Sequence, residues 1–248
     1  MPAASRDPHA DQREEMVRAQ IERRGIRDRR VLDAMRATPR HLFIPEELVL
    51  CGGEEVPVDT VPPAERTRRR GTGTRPRDRA YADCALPIGW DQTISQPYIV
   101  AFMTEALSTR PSDIVLEVGT GSGYQAAVLG ALVEWVYTIE IVEPLARRAW
   151  ATLEELGISN VTGRAGDAHA GWQEHAPYDA IIVTCAPPVA PPALADQLRE
   201  GGRMVIPTGP PGGRQTLQLI EKGPNDVLET ALLPVAFVPM TGGGRRPT

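Results

Sequence analysis

Cysteine is scarce. Cys51, Cys84 and Cys185 are few, odd in number and widely spaced across 248 residues, which excludes a disulfide framework or a zinc ribbon. They read as free thiols of a reducing cytoplasm. No apolar run approaches the roughly 20 residues of a membrane span, and the first thirty residues are charged and lack a signal-peptide core. A cytoplasmic protein without a membrane partner is the expectation. The four histidines (His9, His41, His169, His175) show no ligand spacing, so no metal is expected. Lysine is almost missing: of 27 basic residues only Lys222 is not arginine. The net charge of -5 excludes a surface that attracts nucleic acid as a whole. What remains is 42% hydrophobic, 24% charged and rich in glycine (23) and proline (24), long enough for a sizeable α/β domain.

The first ten residues are polar and read as frayed. Residues 11 to 24 predict a helix stopped by Gly25, and Asp28 is placed to cap a second one carrying Val31, Leu32 and Met35. A short helix is expected near Pro45. From 51 to 79 the texture changes. Residues 64 to 80 hold Arg66, Arg68, Arg69, Arg70, Arg75, Arg77 and Arg79 against Glu65 and Asp78, a local charge of +5. Such a segment buries too little to offset its ordering entropy, so it reads as a flexible basic insertion in a single domain spanning 1 to 242. Residues 243 to 248 read as a disordered tail.

Order returns at Ala80. A helix is predicted over 97 to 108, then strands at 114 to 118, 135 to 141, 160 to 164 and 180 to 184. Helices at 124 to 132, 144 to 156 and 194 to 198 separate them, and a hairpin pattern follows from Leu217 to Val238. This alternation predicts a doubly wound, mostly parallel sheet with an antiparallel C-terminal end.

The most informative stretch is Val115-Leu116-Glu117-Val118-Gly119-Thr120-Gly121-Ser122-Gly123-Tyr124. An apolar strand runs into three alternating glycines and then a helix, so a ligand can approach the main chain. The dinucleotide fingerprint puts its third glycine one residue later; here Tyr124 crowds the helix start. Glu117 precedes the turn, Glu140 ends the next strand beside Ile141, and Asp167 follows the third in Gly166-Asp167-Ala168. Three acids around a glycine turn suit a cationic, hydroxyl-bearing ligand with an adenine rather than a phosphate chain. S-adenosylmethionine has that chemistry, with Glu140 placed to accept from both ribose hydroxyls. The plain alternative is that Glu140 and Asp167 are ordinary strand-end residues. His169 lies near Asp167 and reads as a surface helix residue.

Upstream, Gly89-Trp90-Asp91-Gln92-Thr93-Ile94-Ser95-Gln96-Pro97 puts hydroxyl and amide groups before a helix. Ser95 reads equally as a capping serine and as a donor to a carboxylate. This stretch, the glycine turn, Arg40-His41-Leu42-Phe43-Ile44-Pro45 and the segment from Pro234 to Thr241 resemble the protein-L-isoaspartate O-methyltransferase family over residues 11 to 50 and 80 to 242. The resemblance implies a Rossmann-like class I methyltransferase fold with an N-terminal helical extension. It implies protein repair by methyl transfer from S-adenosylmethionine to the α-carboxylate of L-isoaspartyl residues in proteins or peptides, by a monomer. It implies Ser95 as the active-site residue, with Gln92 beside it on the substrate side. Cofactor contacts are implied at Thr93, Ile94, Gln96, Glu117, Gly119, Thr120, Gly121, Ser122, Gly123, Glu140, Ile141, Gly166, Asp167, Ala168 and Thr241.

Two features depart from that pattern: Asp91 stands where glycine is usual, and segment 51 to 79 is extra. The segment is either a solvated insertion or a basic dock for an acidic peptide. The second option motivates an alternative function, a relative that methylates an aspartate of a precursor peptide on the way to an aspartimide. A non-enzymatic binding module is the third reading.

Overall fold

β-Branched runs that alternate with amphipathic helices after residue 113 leave the chain little choice but a sheet built by crossovers. The computed structural model describes residues 7 to 51, 54 to 60 and 75 to 243. The chain divides between Phe102 and Met103 into two units.

The second unit holds a seven-stranded sheet: β5 (Ile114–Val118), β6 (Trp135–Glu140), β7 (Val161–Ala165), β8 (Tyr178–Val183), β9 (Leu198–Thr208), β10 (Gln215–Lys222) and β11 (Val227–Val235). Its order is β11-β10-β9-β8-β5-β6-β7. β5 to β9 run parallel, and β10 alone runs against its neighbours β9 and β11. The crossovers use α4 (Tyr124–Gly130), α5 (Glu143–Glu155) and α6 (Pro192–Asp196). Strand order reverses at β5: the chain moves outward through β6 and β7, then returns to β8 on the other side. Crossovers on the two sides of a switch strand, right-handed by rule, place their helices on opposite faces of the sheet. The crevice beyond the carboxyl end of such a switch strand is where ligands bind in these sheets. Val115, Leu116, Ile139, Ile181, Val183 and Val205 are at most 1% exposed and form the packed centre, each worth roughly 1.5–3 kcal/mol of burial. Lys222 donates all three ammonium protons, to the carbonyls of Ala195 (2.9 Å), Asp196 (3.0 Å) and Leu198 (2.7 Å), and so closes the carboxyl end of α6.

The first unit begins with α1 (Ala10–Glu15), which continues as a π turn over Met16–Ile21 and a 3-10 turn over Glu22–Arg24. α2 (Arg29–Ala37) follows, and the Asp28 carboxylate accepts the Arg30 N–H at 2.8 Å as its cap. Val31, Leu32 and Met35 are buried. The sequence predicts fraying over the first ten residues, but the Asp7 carboxylate accepts from His9 N and Arg13; residues 1 to 6 lie outside the described residues. No helix forms at Pro45. Residues 45 to 47 lead into β1 (Leu48–Cys51), which pairs antiparallel with β2 (Glu54–Pro57). Val49 and Val56 are buried in that hairpin, with Trp90 packed against them. The near edge of the segment expected to lack packing therefore carries a strand, because alternate valines give it an apolar face. At its far edge a 3-10 turn spans Pro76–Arg79. Arg75 pairs with Glu46 at 3.1 Å, Arg77 donates to the Ile44 carbonyl at 3.0 Å, and Arg79 donates to Cys84 Sγ. Arg66, Arg68, Arg69 and Arg70 lie outside the described residues. β3 (Leu86–Gly89) and β4 (Gln92–Ile94) form a second hairpin, and α3 (Pro97–Leu107) runs across the division into the second unit. No helix among the described residues is long and apolar enough to cross a membrane.

Candidate active site

β5 delivers its carboxyl end into the glycine turn, and β6 holds that turn. Gly119 N and Thr120 N both donate to the Ile139 carbonyl, at 2.9 and 3.2 Å. Gly119 adopts φ +93, and a Cβ there would meet Thr184 Oγ1 at 2.5 Å. A side chain is excluded on both counts. The Gly121 N–H donates to Glu140 Oε2 at 2.8 Å, and Val142 N–H to Oε1 at 2.9 Å. Gly166 N donates to the Glu140 carbonyl at 2.8 Å, which brings the start of the Gly166-Asp167-Ala168 loop to the same strand end.

Asp167 faces the chain's C-terminal segment. Its carboxylate accepts His169 N (2.9 Å), His169 Nδ1 (2.7 Å) and Gly243 N (2.5 Å). His169 lies in a turn, not on a surface helix, because its ring and main chain both bond this carboxylate. Gly243, placed in the tail by the sequence, is held here, and Thr241 stands two residues before it. The segment reaches this point because Ala186, just past β8, exchanges backbone bonds with it: Ala186 N with Val238 O and Met240 N with Ala186 O. Residues 244 to 248 lie outside the described residues.

The electrostatics match a polar, water-poor cleft. Glu117 is 0% exposed, and burial pushes its carboxyl up to about 8. Its Oε2 accepts from Thr138 at 2.5 Å, while Oε1 is buried with no hydrogen-bond partner among the described residues. Burial also raises Glu140, against the backbone bonds from Val142, Gly121 and Ile141 that favour its charge. Asp167 goes the other way: burial opposes it, yet the His169 and Gly243 bonds hold it below the usual carboxylate value. Burial, with the Glu140 charge behind it, pushes Cys185 up to about 12, so it stays a thiol and no nucleophile. A buried, unpartnered carboxylate oxygen beside a glycine turn, with a second carboxylate holding that turn, is a donor-hungry set. It fits a ligand that brings a cation and hydroxyls, as S-adenosylmethionine does.

In the second unit, then, Glu117, Gly119, Thr120, Gly121, Ser122, Gly123, Glu140, Ile141, Gly166, Asp167, Ala168 and Thr241 gather at the carboxyl ends of β5, β6 and β7. Ile141 is 40% exposed, an apolar face open to a flat ring. Gln92, Thr93, Ile94, Ser95 and Gln96 belong to the first unit. Gln92 Nε2 donates to the Trp90 carbonyl (3.1 Å) and Gln96 Nε2 to Asp83 Oδ1 (2.8 Å). α3 starts at Pro97 and its first helical bond ends on the Gln96 carbonyl, so Gln96 holds the cap position and Ser95 precedes it. That removes the capping role from Ser95, whose hydroxyl bonds nothing among the described residues. Trp90 and Asp91, at φ +50 and +55, turn β3 into β4. This left-handed pair explains why glycine suits position 91.

Sequence reasoning missed Thr138. It lies two residues before Glu140 and so on the same face of β6, opposite Glu117 in register. Polar residues at that spacing on a strand otherwise buried were the available signal.

The family model described as "Protein-L-isoaspartate(D-aspartate) O-methyltransferase" matches residues 65–245. The chain is 49% identical over 245 residues to the protein-L-isoaspartate O-methyltransferase of a Synechococcus species, covering 96% of this chain and 89% of that one. A solved protein-L-isoaspartate O-methyltransferase superposes with a TM-score of 0.74 at 26% identity, over 93% of this chain and 66% of that one. The Plasmodium falciparum structure, described as a putative protein-L-isoaspartate O-methyltransferase in complex with S-adenosyl-L-homocysteine, shares the fold with a TM-score of 0.69 at 22% identity, over 92% of this chain and 98% of that one. With a matching family model over most of its length and a relative at this identity, the chain belongs to the protein-L-isoaspartate O-methyltransferase family.

Proposed function

We infer that the chain repairs proteins by transferring a methyl group from S-adenosylmethionine to the α-carboxylate of L-isoaspartyl residues. Family membership carries this reading, and the acid-lined glycine turn supports it. When bound, the cofactor supplies an electrophilic methyl group on sulfur. The residues of this chain bind and orient. A substrate carboxylate is ionised at pH 7 and needs no base, so alignment and exclusion of water are the main tasks. Glu140 accepts ribose hydroxyls through the lone pairs its backbone bonds leave free. Asp167, Ala168, Ile141 and Thr241 frame the adenine side. Thr93, Ile94 and Gln96 complete the cofactor contacts, and Gln92 and Ser95 meet the substrate. The Ser95 hydroxyl orients the carboxylate and is not a nucleophile.

The deciding experiment is a methyl-transfer assay on an isoaspartyl peptide and its aspartyl twin. Transfer to the first alone supports repair; inactivity on both overturns it. Transfer to the aspartyl peptide alone would favour the precursor-peptide relative, which no relative described above supports. Ser95→Ala should lower turnover while cofactor affinity holds; a loss confined to cofactor binding contradicts the orienting role. We further read the enzyme as a cytoplasmic monomer, a setting in which its three cysteines stay as thiols. The segment from Arg66 to Arg79 remains the proposed contact for an acidic peptide, to be tested by neutralising Arg66, Arg68, Arg69 and Arg70 and measuring KM on acidic and neutral isoaspartyl peptides.

A further inference from the structure

We propose that Thr138 is a positioning residue of the cofactor site, its hydroxyl bridging Glu117 and Thr120 so that the glycine turn is preformed for its ligand. The inference rests on the reading that this turn holds S-adenosylmethionine.

The bridge is built from one hydroxyl that does two jobs. Thr138 Oγ1 lies 2.5 Å from Glu117 Oε2 and 2.6 Å from Thr120 Oγ1. Glu117 and Thr138 are 0% exposed and Thr120 is 3% exposed, so water does not substitute for any member. A threonine hydroxyl carries one proton. In either direction of donation the Thr120 hydroxyl is tied to Thr138, which sets its rotamer. Register makes this possible, because β5 and β6 pair Glu117 directly with Thr138.

The consequence falls on the turn. Thr120 is its second residue, and the Gly119 and Thr120 N–H groups already share the Ile139 carbonyl. β6 therefore grips the turn from two residues of one face: Glu140 through the Gly121 N–H, and Thr138 through the Thr120 side chain. Cutting the second grip leaves a buried carboxylate and a buried hydroxyl unpaired. The turn then samples conformations that the ligand must select against, which weakens binding in proportion to the competent fraction. Thr138 is positioned to affect affinity while leaving the transfer step itself nearly unchanged.

The test compares Thr138→Val, which keeps the shape and loses the hydroxyl, with Thr138→Ser, which restores it. Binding of S-adenosylhomocysteine is measured by calorimetry, and kcat at saturating S-adenosylmethionine is measured alongside. Thr138→Val should raise Kd roughly tenfold, the worth of one buried hydrogen bond. Its kcat should stay within about threefold, and Thr138→Ser should return Kd to within about threefold of wild type. A Thr138→Val Kd within about twofold of wild type overturns the bridge, as does a Thr138→Ser variant as weak as Thr138→Val. If Thr138→Val does not fold, Thr138→Ala removes the same hydroxyl and is held to the same criteria. Wild type that binds no S-adenosylhomocysteine overturns the cofactor reading itself. Wild type that binds while Thr138→Val matches it overturns the bridge alone.

Discussion

Gly121 gives its backbone N–H to Glu140 Oε2 at 2.8 Å, while the other oxygen of that carboxylate holds the Val142 N–H. One side chain thus fixes the middle of the glycine turn and the exit of its own strand. Both bonds need an acceptor on each oxygen, which glutamine does not offer. Glu140→Gln turns an amide NH2 toward one of two N–H donors. It should weaken S-adenosylmethionine binding by about 1–3 kcal/mol, and Glu140→Ala by a similar amount. Calorimetry checks this: a glutamine variant with wild-type affinity would leave the main-chain bonds without consequence.

The buried Glu117 carboxyl makes stability depend on pH. Its value rises from 4.5 unfolded to about 8 folded, chiefly through burial. The folded chain then keeps a proton that the unfolded chain has released, so stability falls as pH climbs from 4.5 to 8 and levels off above. Glu117→Gln removes that slope. The melting temperature of the variant relative to wild type should rise steadily between pH 5 and 8 and then hold constant. A pH-independent difference would mean that the carboxyl does not titrate there.

Asp91 sits at φ +55 in the two-residue turn between β3 and β4. An L-residue is strained in that region, and aspartate only partly escapes the penalty. Asp91→Gly should raise stability by up to about 1 kcal/mol, the relief being offset by glycine's greater unfolded entropy. Urea denaturation with an unchanged m value would report it; a lower midpoint would show that the carboxylate has a stabilising contact.

Gly119→Ala meets both a left-handed φ and the Thr184 hydroxyl, which itself bonds the carbonyls of Val118 and Gly119. A loss of about 2–4 kcal/mol is expected by denaturant titration. Cofactor binding should fall with it, since the turn shifts. A variant as stable as wild type would mean that β5 and β8 part there at little cost.

The parts of the fold legible in the sequence are those whose signals are local. The β5 apolar run, its three glycines and the acid at the end of β6 each declare themselves within a few residues. Asp28 as a helix cap is read the same way. What depends on pairing was hidden: nothing near Thr138 says that Glu117 faces it across the sheet. Pro45-Glu46-Glu47-Leu48 carries the composition of a helix start, yet the chain forms β1. The missed cue was Gly52-Gly53 between two valine-bearing runs, itself a hairpin signal. His169 and Gly243 were misplaced for a related reason. Their common partner, Asp167, lies 76 residues from Gly243 in the chain and reaches it only once the last strands have closed the sheet.

The three carbonyls around Lys222 have a chemical consequence. It is the sole side-chain amine in the sequence, and each of its protons is committed at 2.7 to 3.0 Å. A reagent that acylates lysines finds one target, and the attack must first break the closure of α6. Every other strongly basic group is a guanidinium, which stays ionised at any pH the fold tolerates. Shifts of acidity are therefore felt through the carboxyls and the few imidazoles, and nearly all of the positive charge is a constant of the molecule.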